Sequence, residues 1–513
     1  MTDRNGDTPA VVPPPGWGEK EPGRRRMRWR RRLWLGLAVF LALVLVVGVL
    51  HLWEELTCGG YDSGVRSVDG QCVGITDAGH IFHDSYSDVQ NLIAAENDRV
   101  EEEAGGEAVT IAFLGTFTFG EVSPMDPGRM LRSLEGAYTA QMRANHTHHF
   151  SDPKPQIRLV LANIGGQQEQ WETVVDDLLP MAEDPEAPLV AVTGMGVSIE
   201  STQQIAERLS TANMPMVSSA LTADGLEHRE IPGLLRAAPS NTQYVRALRA
   251  YMDGLEEKPR ATLVYDLNEP DLFVTTLRQA YEDQLSGFTV GHPQEYVGTT
   301  VEEFPRAGLF NSVTLNVCAS NNDTVLFAGR SPDLNEFLAS LAQRGCKERH
   351  LRILFAVTGL SVLDDEESMD HLRQGNMSLV YASGIDPRWR TSVGEDNVPE
   401  HYVAFASAFH SHVGGGDESA LNNGYALVNH DAVAVATEAV RVSNEGALEE
   451  LPTAEEVYAQ LMLLNSAHAV PAGGGVLSYS DNLAGEAVGR LVPIVELPME
   501  EDTPLPDPYV IRD

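Results

Sequence analysis

The sequence predicts an α/β protein of parallel sheets covered by helices on both faces, behind one N-terminal membrane helix. Three observations predict it. From Ala108 onward, short continuous apolar runs alternate with longer amphipathic stretches. The run 33–53 (LWLGLAVFLALVLVVGVLHLW) contains no Asp, Glu, Lys or Arg. As a helix it would span about 31 Å, the thickness of the hydrocarbon layer. The chain has 513 residues, 43% of them hydrophobic, enough for full cores.

Charge orders the N-terminal part. Residues 1–23 are rich in Pro and Gly, as in Pro13-Pro14-Pro15-Gly16, and read as a flexible tail. An arginine cluster, Arg24 to Arg32, stands before the apolar run, and Trp34 and Trp53 lie near its ends. The cluster predicts a cytoplasmic N-terminus by the positive-inside rule. The run is longer than a usual signal-peptide core and no small-x-small site follows it, so an uncleaved anchor is expected. The chain would then be a single-pass cell-membrane protein, its C-terminal domain extracellular. The formal net charge of −38 excludes nucleic acid as a partner, since phosphate binding needs neutralising Lys and Arg.

Next come the cysteines. Cys58 and Cys72 stand just beyond the apolar run; Cys318 and Cys346 lie far along the chain. An even count outside the cell suggests pairs 58–72 and 318–346. Connectivity stays open at this level, and two buried thiols are the alternative for the second pair. Residues 54–83 read as a Gly-rich collar and 84–103 as a helix, with Gly105-Gly106 as the hinge into the main domain.

The expected strands are 109–115, 156–165, 188–194, 214–219, 261–266, 324–329, 351–359 and 377–384. Helices are expected over 128–145, 168–179, 201–211, 242–255, 271–285 and 334–344. Most strands end in Gly, Ser, Thr or Asp. Binding sites of parallel sheets lie outside the strand carboxyl ends, where such residues gather.

The order of these segments resembles the type I periplasmic binding proteins, in particular the branched-chain amino-acid-binding group and receptor ligand-binding regions. VTIAFLGTFTF with GAYTAQMRAN (136–145) is similar to the family's first strand, loop and helix. VTGMGVSIESTQQIAERLSTANMPMVSSALTADGL (192–226) resembles its second crossover, and LLRAAPSNTQYVRALRAYM (234–252) its lobe-crossing segment. NHDAVAVATEAV (429–440) resembles its late buried helix, and GGVLSYSDNLAGEAVGRLVPIVEL (474–497) its closing strand–turn–strand. The resemblance implies two lobes, each a Rossmann-like parallel sheet with flanking helices, joined by three crossings and closing on a ligand by hinge motion.

The expected organisation follows. Residues 1–32 form a disordered basic cytoplasmic tail, 33–53 the signal anchor, 54–107 the collar and helix, and 499–513 an acidic tail. The binding-like domain spans 108–498. Lobe 1 takes about 108–242 and 385–470, lobe 2 about 243–384 and 471–498.

Candidate ligand-binding residues line the strand ends: Thr116, Gly196, Ser198, Ser219, Leu221, Thr222, Asp266, Arg330 and Thr358. The resemblance implies that the loops holding Ser198 and Thr222 grip a carboxylate; helix capping is the alternative for both. The family's acidic partner for a ligand ammonium is replaced by Thr358, and Glu269-Pro270-Asp271 stands where an aromatic is usual. Arg330 also replaces an aromatic; unpaired, it would favour an anionic ligand, and a surface position is the alternative. Asp266 would pair with an ammonium or cap the helix after it.

His146, His148 and His149 lack metal-ligand spacing and read as a solvated loop. No Walker loop, zinc-protease motif, dinucleotide fingerprint or nucleophile elbow occurs, so neither an enzyme nor a cofactor is expected. Two functions remain. One is a membrane-anchored solute-binding protein or sensor that takes a small polar ligand for an ABC-type permease or a membrane signalling partner. The other is a binding-fold ectodomain without a ligand that serves as an interaction or envelope protein.

Overall fold

The computed structural model describes residues 32–42 and 58–512, except 60–62, 120–122, 124, 269, 299–307, 361, 363–364, 393–396, 415–417, 446–449 and 500–502. Two compact units divide the chain, residues 1–57 and 58–513. In the first, residues 32–42 are helical. Among the described residues no helix is long and apolar enough to cross a membrane. The expected anchor continues through 43–53, and the tail falls on 1–31, both outside the described residues.

The second unit begins with a hairpin, β1 (Val65–Val68) and β2 (Gln71–Thr76), followed by α1 (Ser87–Glu103). Lobe 1 continues through β3 (Ala108–Gly115), α2 (Pro127–His146), β4 (Gln156–Asn163), α3 (Trp171–Leu178), β5 (Leu189–Gly194), α4 (Glu200–Thr211), β6 (Met216–Ser218) and β7 (Leu234–Arg236). Its strand order is β1-β2-β4-β3-β5-β6-β7. The strands from β4 to β7 run parallel, whereas β2 joins β4 antiparallel.

The segment expected as a separate collar is therefore part of the lobe 1 sheet. Gly105 and Gly106, expected as a hinge, form the tight turn from α1 into β3, both with positive φ. Along β3, Val109, Ile111 and Phe113 enter one core layer while Ala112 and Leu114 enter the opposite one. That alternation puts apolar side chains on both faces, which is why the run lacks a polar period.

Lobe 2 comprises α5 (Asn241–Asp253), β8 (Ala261–Asp266), α6 (Leu272–Leu285), β9 (Gln294–Tyr296), α7 (Asn311–Ser320), β10 (Thr324–Ala328), α8 (Ser331–Ala342), β11 (Leu351–Ala356), α9 (Glu366–Gln374) and β12 (Met377–Ala382). Side-chain caps set several helix starts. Asp126 accepts from the Arg129 N–H at α2, with Pro127 at the first helical position, and Ser240 accepts from Gln243 at α5.

The chain then returns to lobe 1 for α10 (Tyr402–Val413), α11 (Tyr425–Asn444) and α12 (Ala454–Gln460). α11 is buried continuously from Tyr425 to Arg441. It lies so close to α2 that a Cβ on Gly136 would stand 2.0 Å from the Ala426 carbonyl oxygen.

The closing strands are β13 (Val470–Ala472), β14 (Gly475–Ser478), β15 (Val488–Val492), β16 (Ile494–Leu497) and β17 (Tyr509–Val510). β16 adds antiparallel to β12, giving lobe 2 the order β16-β12-β11-β10-β8-β9. Val470, Ala472, Leu477, Tyr479 and Ala487 sit in the lobe 1 core, so the return to lobe 2 comes at β15–β16 and not at residue 471. Expected as an acidic tail, the C-terminal segment places β17 against β15. Disulfides join Cys58 to Cys72 and Cys318 to Cys346.

Candidate functional site at the facing switch points

Each parallel sheet reverses its winding at one place, and a crevice opens there outside the strand ends. In lobe 1 the reversal lies between β3 and β5; in lobe 2 it lies between β8 and β10. Six of the nine expected residues sit on the loops of these four strands or beside them: Thr116, Gly196, Ser198, Asp266, Arg330 and, through its contact with Ser198, Thr222.

In lobe 1 the chain leaves β5 through three successive residues of positive φ: Gly194 (82°), Met195 (73°) and Gly196 (72°). Left-handed backbone at Met195 is strained for a residue with a Cβ, and strain of this kind persists only where the surroundings impose it. A Cβ on Gly196 would meet Gln168 Oε1 at 2.2 Å, so only glycine lets the loop approach. Gln168 is fully buried. Its Oε1 accepts from the Val197 N–H at 2.8 Å, and its Nε2 donates to Thr202 Oγ1 at 2.7 Å and Ser201 Oγ at 3.1 Å. Sequence reasoning missed Gln168; its one signal was a polar run, Gln167 to Gln170, directly after an apolar strand.

The loops implied to grip a carboxylate do meet, but they satisfy each other. Ser198 Oγ accepts from the Thr222 N–H at 3.2 Å and the Ala223 N–H at 3.3 Å. Neither residue is a helix cap: Ile199 precedes α4, and the Thr222 carbonyl accepts from the Asn241 N–H at 2.6 Å. Ser219 Oγ donates to the Gly194 carbonyl at 3.3 Å. Leu221 is fully buried in a lobe 1 core cluster. Thr116 is fully buried too, and its hydroxyl has no hydrogen-bond partner among the described residues.

In lobe 2 the expectation of an unpaired Arg330 is corrected. Arg330 donates from Nε and Nη2 to the two carboxylate oxygens of Asp271, each at 2.7 Å, and its guanidinium lies 4.9 Å from the Phe273 ring centroid. Such a bidentate pair consumes the charge expected to attract an anion. Asp271, not Asp266, caps α6, accepting from the Val274 N–H at 3.3 Å. Glu269 lies outside the described residues.

Asp266 turns inward. Its Oδ1 accepts from Gly298 at 2.7 Å and Asn268 at 3.1 Å, while Oδ2 has no hydrogen-bond partner among the described residues. Burial raises its pKa above the ordinary carboxylate value, against the pull of those two N–H groups. Thr358 is buried with its hydroxyl beside that of Tyr244, and its carbonyl accepts from Gly384 at 3.1 Å.

The lobes touch across the crevice. The Ser198 carbonyl of lobe 1 accepts from the Phe273 N–H at 3.1 Å and from Arg330 Nη2 at 3.3 Å, both in lobe 2. A second contact brings Asn423, just ahead of α11, against Gly359, where a Cβ would stand 1.5 Å from the Asn423 carbonyl oxygen. Among the histidines, His146 pairs with Glu96 at 3.0 Å and His149 Nε2 bonds the Pro471 carbonyl at 2.9 Å; these two belong to lobe 1 packing. Among the described residues no group of His, Cys, Asp and Glu is placed to hold a metal ion.

Solved structures share this architecture. One is the branched-chain amino acid transporter substrate-binding protein LivJ from Streptococcus pneumoniae, in complex with isoleucine. It is 14% identical, with a TM-score of 0.56 over 79% of this chain and 100% of its own. The leucine-binding protein LivK from Thermotoga maritima is 13% identical, with a TM-score of 0.54 over 79% and 99%. A solute-binding protein of an ABC transporter from R. palustris, in complex with 4-hydroxybenzoate, is 11% identical, with a TM-score of 0.56 over 79% and 98%. The chain has a two-lobed fold like that of the type I periplasmic binding proteins. No protein-family model matches it, and no curated protein does.

Proposed function

We propose that this chain is a membrane-anchored solute-binding protein or sensor whose two lobes close on a small polar ligand. The observation that carries the reading is the meeting of the two switch points. Loops from both lobes converge there, the Ser198 carbonyl after β5 accepting from the Phe273 N–H and from Arg330 after β10. Two buried polar atoms without a partner among the described residues, Thr116 Oγ1 and Asp266 Oδ2, stand at the carboxyl ends of β3 and β8. A buried polar atom without a partner costs about 1–3 kcal/mol, which a ligand's polar groups would relieve. Amino acids and small carboxylates are the ligand class. The solved proteins of like fold hold isoleucine and 4-hydroxybenzoate. With Arg330 already paired, a carboxylate would have to displace Asp271 or the Ser198 carbonyl. The apolar run 33–53 would tether the domain outside the cell, to serve an ABC-type permease or a signalling partner.

Isothermal titration of the full chain against amino acids, benzoates and small acids tests the reading. Saturable one-to-one binding by a member of the panel is expected. Silence across the panel, with no ligand-dependent rise in Tm, overturns it.

A second reading is favoured by the direct contact of Ser198 with Phe273 and Arg330. There the lobes hold each other without a ligand, and the ectodomain serves as an interaction module. Under that reading the interlobe distance does not change with any solute.

A further inference from the structure

The C-terminal segment beyond β16 lies against all three places where the chain passes between lobes. The first passage runs from β7 to α5, the second from β12 to the 3₁₀ turn Pro387–Arg390, and the third along β15 to β16. At the third, β17 pairs antiparallel with β15, Leu491 opposite Val510 and Val492 opposite Tyr509. The Gly489 N–H donates to the Ile511 carbonyl at 2.9 Å, and the Ile511 N–H to the Arg490 carbonyl at 3.0 Å. At the first, Tyr509 OH donates to Gln243 Oε1 on α5 at 3.2 Å. At the second, Arg388 Nη1 donates to the Pro504 carbonyl at 3.4 Å, and Asn397 Nδ2 to the Leu505 carbonyl at 3.1 Å.

The same segment is held by apolar contacts at both ends. Leu505 packs on the cluster of Ile385, Trp389, Tyr402 and Phe405, which belongs to the second passage and α10. Ile511 is fully buried in the lobe 2 core. The stretch PLPDPYVI (504–511) that contains both carries Pro504, Pro506 and Pro508. Alternating prolines favour an extended, stiff backbone that loses little entropy on docking. β15 is itself anchored to lobe 1, since the buried Arg490 donates to Asp431 Oδ2 on α11 at 2.7 Å.

A two-lobed protein closes by changing φ and ψ in a few residues of its crossings. A segment bonded beside every crossing opposes that change, because lobe rotation must break its bonds or carry it along. We infer that residues 503–512 are a hinge strap that sets the angle between the lobes and limits its range. The inference concerns the hinge alone and holds whether or not the crevice takes a ligand.

The test uses the full chain with spin labels at Gln203→Cys on α4 and Glu282→Cys on α6, both exposed. All four native cysteines are in disulfides, so the labels are specific. Pulsed EPR distance distributions are compared for the parent and for a variant ending at Asp502. The expected result is a broadened or shifted distribution, with far-UV circular dichroism unchanged. An unchanged distribution in a folded truncated chain overturns the inference. If truncation unfolds the chain, the double variant Leu505→Ala with Tyr509→Phe decides. Broadening in that variant supports the strap, and a parental distribution overturns it.

Discussion

The two sides of the crevice share a topology and differ in chemistry. In lobe 1 the loops are shaped by neutral groups: the Gln168 amide, the Ser198 hydroxyl and glycines at positive φ. In lobe 2 they are shaped by buried charge: Asp271 paired with Arg330, and Asp266 held by backbone N–H groups. Neutral hydrogen bonds are insensitive to salt and pH and hold one geometry. A buried ion pair is worth little against water while intact, yet either partner alone is costly. Lobe 1 thus offers a preformed wall, and lobe 2 offers a wall whose shape depends on keeping its charges matched.

The contrast can be broken most directly at Asp271. Asp271→Ala strands the Arg330 guanidinium and removes the α6 cap, so urea denaturation is expected to register a loss of about 3–5 kcal/mol. Asp271→Asn retains the cap and isolates the charge effect; if both variants are as stable as the parent, the pair does not hold lobe 2. On the neutral side, Gln168→Ala removes three hydrogen bonds and should cost about 1–3 kcal/mol, with a midpoint shift independent of salt. A marked salt dependence would erase the distinction drawn between the walls.

The smallest effect is expected at Asp266. Its folded-state pKa is raised by burial, so the folded protein holds the proton more tightly than the unfolded chain. The stabilisation this provides is present at acid pH and is lost as pH rises through the raised value. Asp266→Asn should therefore be slightly more stable than the parent at neutral pH, the difference shrinking as pH is lowered through the carboxylate range. A parent more stable than the variant at neutral pH would mean that the ionised carboxylate is favoured after all.

Much of the fold was readable along the chain. The eight expected strands all form, each bound within three residues of the expected one, because continuous apolar runs flanked by small residues describe a strand covered on both faces. β1, β2 and β9 went unread. They are short strands at or next to a sheet edge whose residues face solvent in part, and they gain their pairing from a neighbour already in place. The tail went unread for a related reason: Tyr509 and Val510 are two residues, too few to show a period, and only β15 makes them a strand.

The site divides similarly. Thr116, Gly196, Ser198, Asp266 and Arg330 were recognisable because polar or small residues gather where apolar strands end; Ser219 and Thr358 share that pattern, and only strand order separates the switch points from the other strand ends. Their partners were not. Asp271 lies 59 positions from Arg330, and Gln168 lies 29 positions from Val197, so no local pattern links them.

What the amino-acid order determined alone is the class of each segment and the strand ends from which a crevice can be built. Strand period, helix caps and loop composition are local properties, and alternation of strand and helix compels parallel sheets. What only the tertiary structure decided is which polar groups are spent on one another and what lies across the hinge. Those depend on side chains and strands brought together from distant parts of the chain, where distance and burial, not neighbourhood in sequence, set the energy.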